Sequence, residues 1–279
     1  MRLAHSVVPE AEAILDAEYP VLDHGFVRLL DYLGSDDRIV EAARVSFGSG
    51  TKSYRQDRGL IHYLLRNDHT SPFEQVNLTF HLKMPIFVAR QWIRHRTARL
   101  NEISGRYSVM RDEFYLPVDQ HISLQSEDNK QGRSDEPAGP ELQRRVHEML
   151  ESEQKRNYET YSELIDMGIA RELARIDLPL SLYTEFYWQI DLHNLFHFLK
   201  LRLDAHAQYE IRAFAETIFE IATKVCPIAC EAFEEHVTDS IRLSQSERAA
   251  LARLLRGEPE GLKGKALERF RNKLNLGHE

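Results

Sequence analysis

Residues 76–84 read Val-Asn-Leu-Thr-Phe-His-Leu-Lys-Met. Val76, Leu78, Phe80, Leu82 and Met84 alternate with Asn77, Thr79, His81 and Lys83. A period of two places the apolar residues on one face and the polar residues on the other, so this stretch predicts a strand with one buried and one wet face. Pro85 follows. Proline has no N–H to donate and suits a first helical position. The strand is therefore expected to stop there, with a helix over Ile86–Arg96.

Working outward, residues 1–20 read as a poorly packed leader ending at Pro20. Val21–Leu33 predicts a strand and a turn, with Gly25 and Gly34 as punctuation. Asp36 or Asp37 is placed to cap a short helix carrying Ile39, Val40 and Ala43. That helix runs through Ala43–Phe47 into a Gly-rich loop, GSGTKS, and another helix is expected around Leu60–Arg66. On the other side, 117–140 is polar and closed by prolines, and reads as a long loop or insertion. Helices are predicted over Glu141–Met167, Thr184–Leu203 and Ala207–Cys226. In the second, Leu192, Leu195, Phe196, Leu199 and Leu203 form one apolar stripe. Pro227 closes the third. From Thr238 to Glu279 the composition shifts to nine Lys/Arg against six Asp/Glu, spread over two weakly amphipathic helices.

The chain has 279 residues, of which 42% are apolar and 29% charged. That suffices for a sizeable core and argues against disorder throughout. Lys and Arg total 36 against 44 Asp and Glu, a net charge of −8. A mildly acidic chain lacks the broad positive field that grips a nucleic-acid polymer. It can still bind one small anion where arginines converge. No apolar run approaches the roughly 18–20 residues of a membrane span, and the acidic start does not read as a signal peptide. The two cysteines, Cys226 and Cys230, flank Pro227 in an apolar segment and read as buried structural thiols in a reducing cytoplasm.

The densest chemistry lies in Gln91–Tyr107, QWIRHRTARLNEISGRY. Arg94, His95, Arg96, Arg99 and Arg106 crowd a chain with excess acid. On a helix Gln91 shares a face with Arg94 and His95, and Arg90 and Arg94 stand one turn apart. Cations so close repel unless an anion lies between them, and a guanidinium matches phosphate oxygens two at a time. Asn101–Tyr107 then reads as a loop in which Ser104 and Gly105 offer backbone N–H groups to a phosphate, with Arg106 adding charge. Glu102 suits a ribose hydroxyl or an arginine. Taken alone, an Arg-His-Arg triplet is a solvated helix face; the Ser-Gly loop, the further arginine and the wet-faced strand tilt the reading toward a ligand.

Two further groups are ambiguous from residues alone. Asp68–Glu74 contains His69 and Ser71, but Thr70 or Ser71 with Pro72 and Glu74 also makes a helix cap. Arg175 precedes Leu178-Pro179-Leu180, and Asp191, His193, Asn194, His197 and Arg202 follow on a helix. His193 and His197 have metal-ligand spacing, but no third ligand accompanies them and no metal is assigned.

RHRTARLNEIS is Arg-His-Arg, seven residues, then Ser. With ARVSF, HTSPFE, FVARQW, NEISGRYS, ARIDLPLSLYTEFYW and LRLDAHAQYEI in order, the chain resembles the flavin-dependent thymidylate synthases (ThyX) over about Asp23–Phe233. The leader, the 117–140 loop and the basic tail fall outside the resemblance. It implies an α/β (α+β) subunit, a mixed sheet flanked by helices, assembling into a homotetramer with shared active sites. It implies a catalytic domain at 21–237, with 1–20 as leader and 238–279 as a helical extension. The implied reaction makes dTMP from dUMP, with 5,10-methylenetetrahydrofolate supplying the carbon and NADPH supplying hydride through FAD. Carried onto this sequence, Gln91, Trp92, Ile93, Arg94, Glu102, Ile103, Ser104, Gly105, Arg106, Arg175 and Arg202 hold dUMP. Ser71, Arg94, His95, Arg96, Glu102, Asp191, Leu192, His193 and His197 touch FAD. His69, Glu74 and Tyr107 lie close by.

Uracil C5 is a weak nucleophile until negative charge builds on the ring, so Arg202 is the residue expected to be catalytic. Ser104 has no adjacent base and suits a phosphate cradle better than a nucleophile. Cys226 and Cys230 lie outside every site block. Two alternatives stay open on sequence: a non-catalytic nucleotide or RNA binder using the same arginines, and a structural oligomer with a degenerate site. The absence of aromatics interleaved with the basic cluster speaks against the binder.

Overall fold

The computed structural model describes residues 7–45, 54–126 and 132–274. The Gly-rich loop, Ser46 and Phe47, residues 127–131 within the polar insertion, and both ends of the chain lie outside the described residues. The chain divides into two compact units, residues 1–233 and 234–279. No helix of the described residues is long and apolar enough to cross a membrane.

In chain order the first unit runs α1 (Pro9–Glu12), β1 (Glu18–Val21), β2 (Gly25–Leu33), α2 (Asp36–Arg44), α3 (Tyr54–Arg66), β3 (Asn77–Pro85), α4 (Ile86–Trp92) and β4 (Arg99–Glu102). It continues with β5 (Ser123–Gln125), β6 (Arg133–Pro137), α5 (Pro140–Asp166), α6 (Arg171–Ala174), β7 (Tyr183–Asp191), α7 (Leu192–Arg202), α8 (Tyr209–Val225) and α9 (Pro227–Phe233). Five strands form one antiparallel sheet in the order β1-β2-β3-β7-β4. The class is α+β, as expected.

The alternating stretch that begins at Val76 lies at the middle of this sheet. Leu78, Phe80 and Leu82 pair in register with Ile190, Trp188 and Phe186 of β7, and all six are buried. Helices α4, α7 and α8 supply the cover. Trp92 lies 4.4 Å from Phe198 and 5.1 Å from Trp188, ring centre to ring centre, with Phe214 at 6.3 Å. Each fully buried Phe or Leu here is worth roughly 1.5–3 kcal/mol over its exposed state. On the wet face, His81 accepts from Arg28 Nη2 at 2.8 Å and meets Glu185 Oε2 at 3.1 Å.

Several expectations need correction. Residues 183–191 are a strand, not the first half of a helix over Thr184–Leu203. Thr184, Phe186, Trp188 and Ile190 are buried and alternate with Glu185, Tyr187 and Gln189, and aromatic and β-branched residues fit a pleated surface. The leucine stripe beyond Asp191 belongs to α7 alone. The helix after Pro85 ends at Trp92, not Arg96, and Arg99–Glu102 is an edge strand on β7 rather than loop. The leader is not loose over its described part: Ala11 is fully buried and β1 joins the sheet. The 117–140 segment holds a hairpin, β5 with β6. No side chain caps the short 3-10 turn at Phe73–Gln75, so the capping box proposed there is not made.

Asp36 ties distant parts of the unit together. Its carboxylate accepts from the backbone N–H groups of Ile228 and Ala229, both at 2.9 Å, at the start of α9. Burial pushes its carboxyl up to about 6, against the pull of those two bonds. Cys226 and Cys230 are buried free thiols.

The second unit holds α10 (Gln245–Leu254) and α11 (Lys265–Lys273). Ser244 and Glu247 form a reciprocal capping box at α10. Glu247 is buried and paired with Lys273 at 2.8 Å and Arg269 at 3.4 Å. Its lysine partner, first among several causes, holds its carboxyl down at about 2.

Candidate active site

The end of β3, the short α4 and the end of α7 converge on one polar cluster. Pro85 ends β3 and is the N-cap of α4, and the chain turns after Trp92, so His95 falls back over Phe198, 4.9 Å away between ring centres. Arg202, the last residue of α7, donates its Nε–H to His95 Nε2 at 3.0 Å. The His197 ring lies 6.3 Å from that of His95. Burial, then the charges of Arg202 and His197, holds the His95 imidazolium down at about 4. His95 is thus neutral at neutral pH, which lets Nε2 accept. An arginine remains charged when half-buried, so Arg202 carries its cation with no acid partner among the described residues.

A second chain of bonds starts on α4. Gln91 Nε2 donates to Gln208 Oε1 at 2.5 Å. Gln208 Nε2 donates to Glu210 Oε2 at 2.8 Å. Glu210 is buried and takes Arg133 Nη2 on both oxygens, at 2.9 and 2.8 Å. Tyr115 donates to it at 3.1 Å.

The third cluster lies around the β4 edge. Glu102 Oε1 accepts from Thr184 Oγ1 at 2.6 Å. The loop beyond is more closed than the sequence implied. Ile103 N–H is bonded to Glu185 O, those of Tyr107 and Ser108 to Ser104 O, and that of Arg106 to Ser104 Oγ. Among the described residues this leaves only the Ser104 and Gly105 amides without an acceptor, and Gly105 is itself buried. Gly105 is packed against Arg175: a Cβ added to it would lie 3.0 Å from Met110 Sδ and 3.1 Å from Arg175 Cδ. Arg106 donates to Glu172 Oε2 at 3.1 Å and lies over the Tyr107 ring.

The chain therefore brings Gln91, His95, His197 and Arg202 into one neighbourhood, and Glu102, Gly105, Arg106 and Arg175 into another. No hydrogen bond or ion pair joins the two groups among the described residues. Arg94 and Arg96 are exposed and without an acid partner among those residues. Ile93, Ile103 and Ser71 are exposed, and His193 is half-buried. Asp191 is not on the helix surface but is its N-cap, accepting from Asn194 N at 2.9 Å and Asn194 Nδ2 at 2.7 Å. Trp92 and Leu192 point into the core and are fully buried, so only their backbone is free to meet a ligand. A concavity of about 830 Å³ opens elsewhere, over the wet sheet face between Asn77, Thr79, Arg99, Gln189, Tyr32 and Arg38, and none of the expected site residues lines it. Sequence reasoning missed Gln208, Glu210, Thr184 and Arg133. The signal for the first two was present in the block LRLDAHAQYEI, where both occur without a role.

An arginine-rich turn with no acid partner for Arg94 or Arg96 among the described residues, beside a half-buried arginine bonded to a histidine, defines a binding protein for an anionic ligand such as a nucleotide. The family model "Thymidylate synthase complementing protein" matches residues 28–228, and "Thymidylate synthase ThyX C-terminal domain" matches 241–279. The basic tail is thus family sequence, which corrects its exclusion from the resemblance. The flavin-dependent thymidylate synthase of Treponema denticola is 61% identical over 265 residues, 95% of this chain and 100% of that protein. That of Treponema pallidum is 58% identical over 275 residues, 99% of this chain and 90% of that protein. The crystal structure of a UMP/dUMP methylase, PolB from Streptomyces cacaoi, bound with 5-Br UMP, superposes with a TM-score of 0.71 at 34% identity, covering 78% of this chain and 96% of that one. The chain belongs to the flavin-dependent thymidylate synthase family and is an enzyme of that kind.

Proposed function

We propose that this enzyme converts dUMP to dTMP, taking its carbon from 5,10-methylenetetrahydrofolate and its hydride from NADPH through FAD. The observation that carries this reading is Arg202, a half-buried cation held by a neutral histidine rather than neutralised by an acid. Such a cation is free to stabilise charge that develops on a pyrimidine ring. In this reading Gln91, Arg94, Glu102, Ser104, Gly105, Arg106 and Arg175 bind dUMP, with Trp92, Ile93 and Ile103 offering backbone. The Ser104 amide and the surrounding guanidinium groups suit a phosphate.

The residues present fit a flavin dinucleotide. Arg94 and Arg96 lack acid partners among the described residues, as a pyrophosphate would need, and His197 is exposed beside His95. Ser71, Glu102, Asp191, Leu192 and His193 complete the FAD set carried over from the resemblance. When bound, FAD supplies the reducing equivalents of the methylation. A homotetramer whose subunits share each site, carried over from the resemblance, belongs to the same reading. The division into a catalytic domain at 21–237 with an extension at 238–279, and a cytoplasmic location, belong to the same proposal.

PolB handles both UMP and dUMP; we commit to dUMP because relatives matching nearly the whole chain are thymidylate synthases. The test is tritium release from C5-labelled dUMP with methylenetetrahydrofolate and NADPH. The purified protein is expected to be yellow and to bleach under NADPH. Colourless protein that takes up no FAD, or turnover faster on UMP than on dUMP, overturns the reading.

A further inference from the structure

Gln208 precedes α8, and its side chain is bonded at both ends. The two ends of an amide are nearly isosteric but chemically opposite, so its direction is set by any neighbour that can only accept or only donate. Glu210 is such a neighbour. It is 4% exposed and held on both oxygens by Arg133. Against a guanidinium the carboxylate offers acceptors only. Gln208 must therefore turn its NH2 toward Glu210 and its carbonyl toward Gln91. Gln91 must in turn give its NH2 to Gln208. Its own carbonyl oxygen is then left unbonded among the described residues. The orientation of one amide on α4 is thus dictated through a second amide by the buried Glu210 of α8, held by the half-buried Arg133 of β6.

We propose that Gln208 is a positioning residue: it fixes Gln91 so that the Gln91 carbonyl oxygen accepts an O–H or N–H of the bound nucleotide. This rests on the reading of Gln91 as a dUMP contact. Of the other groups assigned to the nucleotide only Glu102 offers a carboxylate, and one of its oxygens already accepts from Thr184; the rest are mainly guanidinium and amide donors, and a donor cannot read a donor. An acceptor of fixed direction is what such a site needs to recognise the sugar hydroxyl or the ring N–H of a uridylate. Without Gln208 the Gln91 amide can turn, and half of its orientations present an NH2 to that donor.

The experiment is a double-mutant cycle on the full-length, FAD-loaded enzyme, with labelled dUMP affinity measured by equilibrium dialysis. Gln91→Ala is expected to weaken dUMP about tenfold, the loss of one hydrogen bond in a partly closed site. Gln208→Ala is expected to weaken it about three- to tenfold, and the double variant no further than Gln91→Ala alone. Gln208→Met, which keeps length but neither polar end, should match Gln208→Ala. Equal losses from Gln208→Ala in both backgrounds, or no loss in the native one, overturn the proposal while leaving Gln91 in the dUMP site. If Gln91→Ala itself binds dUMP normally, both the proposal and that assignment fall.

Discussion

Two stretches of the chain, the helix α5 and the segment Pro85–Asn101, carry arginines to very different ends. Along α5 the spacing of acids answers three of the four cations, Arg145 being the exception among the described residues. Arg144 lies between Glu141, at 2.6 Å, and Glu148, Lys155 meets Glu159 at 3.9 Å, and Arg156 meets Glu153 at 3.8 Å. From Pro85 to Asn101 the chain has four arginines and no acid at all, in a protein whose acids outnumber its bases by eight. Arg99 settles on the amide of Gln189 at 3.3 Å, while Arg94 and Arg96 find no acid among the described residues. Arg202, reaching in from α7, settles on an imidazole. The number of cations is similar on the two stretches. What marks the second is the withdrawal of counter-charge from their surroundings, which leaves an anion to supply it.

The sharpest break of this comparison is Arg202→Ala. Turnover of dUMP, read by C5 tritium release, is expected to fall about 10²–10³-fold, the usual cost of losing one group that stabilises developing charge. Arg202→Lys should rescue little of it, because an ammonium on a flexible stem does not reproduce the fixed Nε–H that meets His95. Activity within a few fold of the parent in either variant would move Arg202 into the same structural class as the α5 arginines.

Next in size is Gly105→Ala. The added methyl meets Met110 Sδ and the Arg175 side chain at 3.0–3.1 Å, so the arginine has to move. The dUMP KM is expected to rise about tenfold, the equivalent of about 1.4 kcal/mol of lost binding. An unchanged KM would show that the place of Arg175 against this loop does not matter to the nucleotide.

The sequence disclosed the middle of the sheet and hid its neighbour for a physical reason. Residues 76–84 alternate cleanly because one face of β3 is wet. Residues 183–191 alternate too, but Tyr183, Phe186, Tyr187, Trp188 and Ile190 put apolar character on both faces, and the leucine stripe of α7 begins directly after Asp191. A helical period fitted across that boundary absorbed the strand. At the candidate site, a local pattern suggests only the residue types that concentrate charge: Arg94, His95, Arg175 and Arg202. Gln208 and Arg133 were not legible, because their role depends on bonds across 117 and 77 residues of chain. The polar insertion looked like loop for the same reason, since Arg133 is tied down by a partner on α8 that no local pattern announces. Trp92 and Leu192 were assigned by position in a motif, and their burial confines them to backbone roles.

His95 gives the comparison a pH axis. Its ordinary value is 6.5 and its folded value about 4, with burial as the larger cause and the charges of Arg202 and His197 behind it. Between these values the unfolded chain binds a proton that the folded chain refuses. Stability from this group is therefore complete above about pH 6.5 and lost as the pH falls toward 4. The His95 ring resonances are expected to titrate near 4 by NMR. In Arg202→Leu the midpoint should rise yet stay below 6.5, because burial persists. A midpoint near 6.5 in the parent enzyme would mean that the Arg202 contact is not made by a neutral ring.

The smallest effect belongs to the other half of the comparison. Arg144 has more acid around it than any arginine of the acid-free turn, yet it stands on the open face of α5, more than half exposed. An exposed ion pair gains little in high dielectric and surrenders side-chain freedom to hold its geometry, so pairs of this kind often contribute nothing measurable. Its acids raise the Arg144 pKa, the bond to Glu141 first, but an arginine already charged at every working pH gains no function from that. Arg144→Ala is expected to leave the melting temperature, dUMP affinity and turnover at parental values. If it lowered dUMP affinity as much as Arg94→Ala does, the nucleotide would be responding to net charge at a distance, and the absence of acids around Arg94 would lose its meaning as the mark of a site. Measuring both variants at low and high salt separates these cases, since a long-range field is screened within about 10 Å at 0.1 M salt while a direct contact is screened far less.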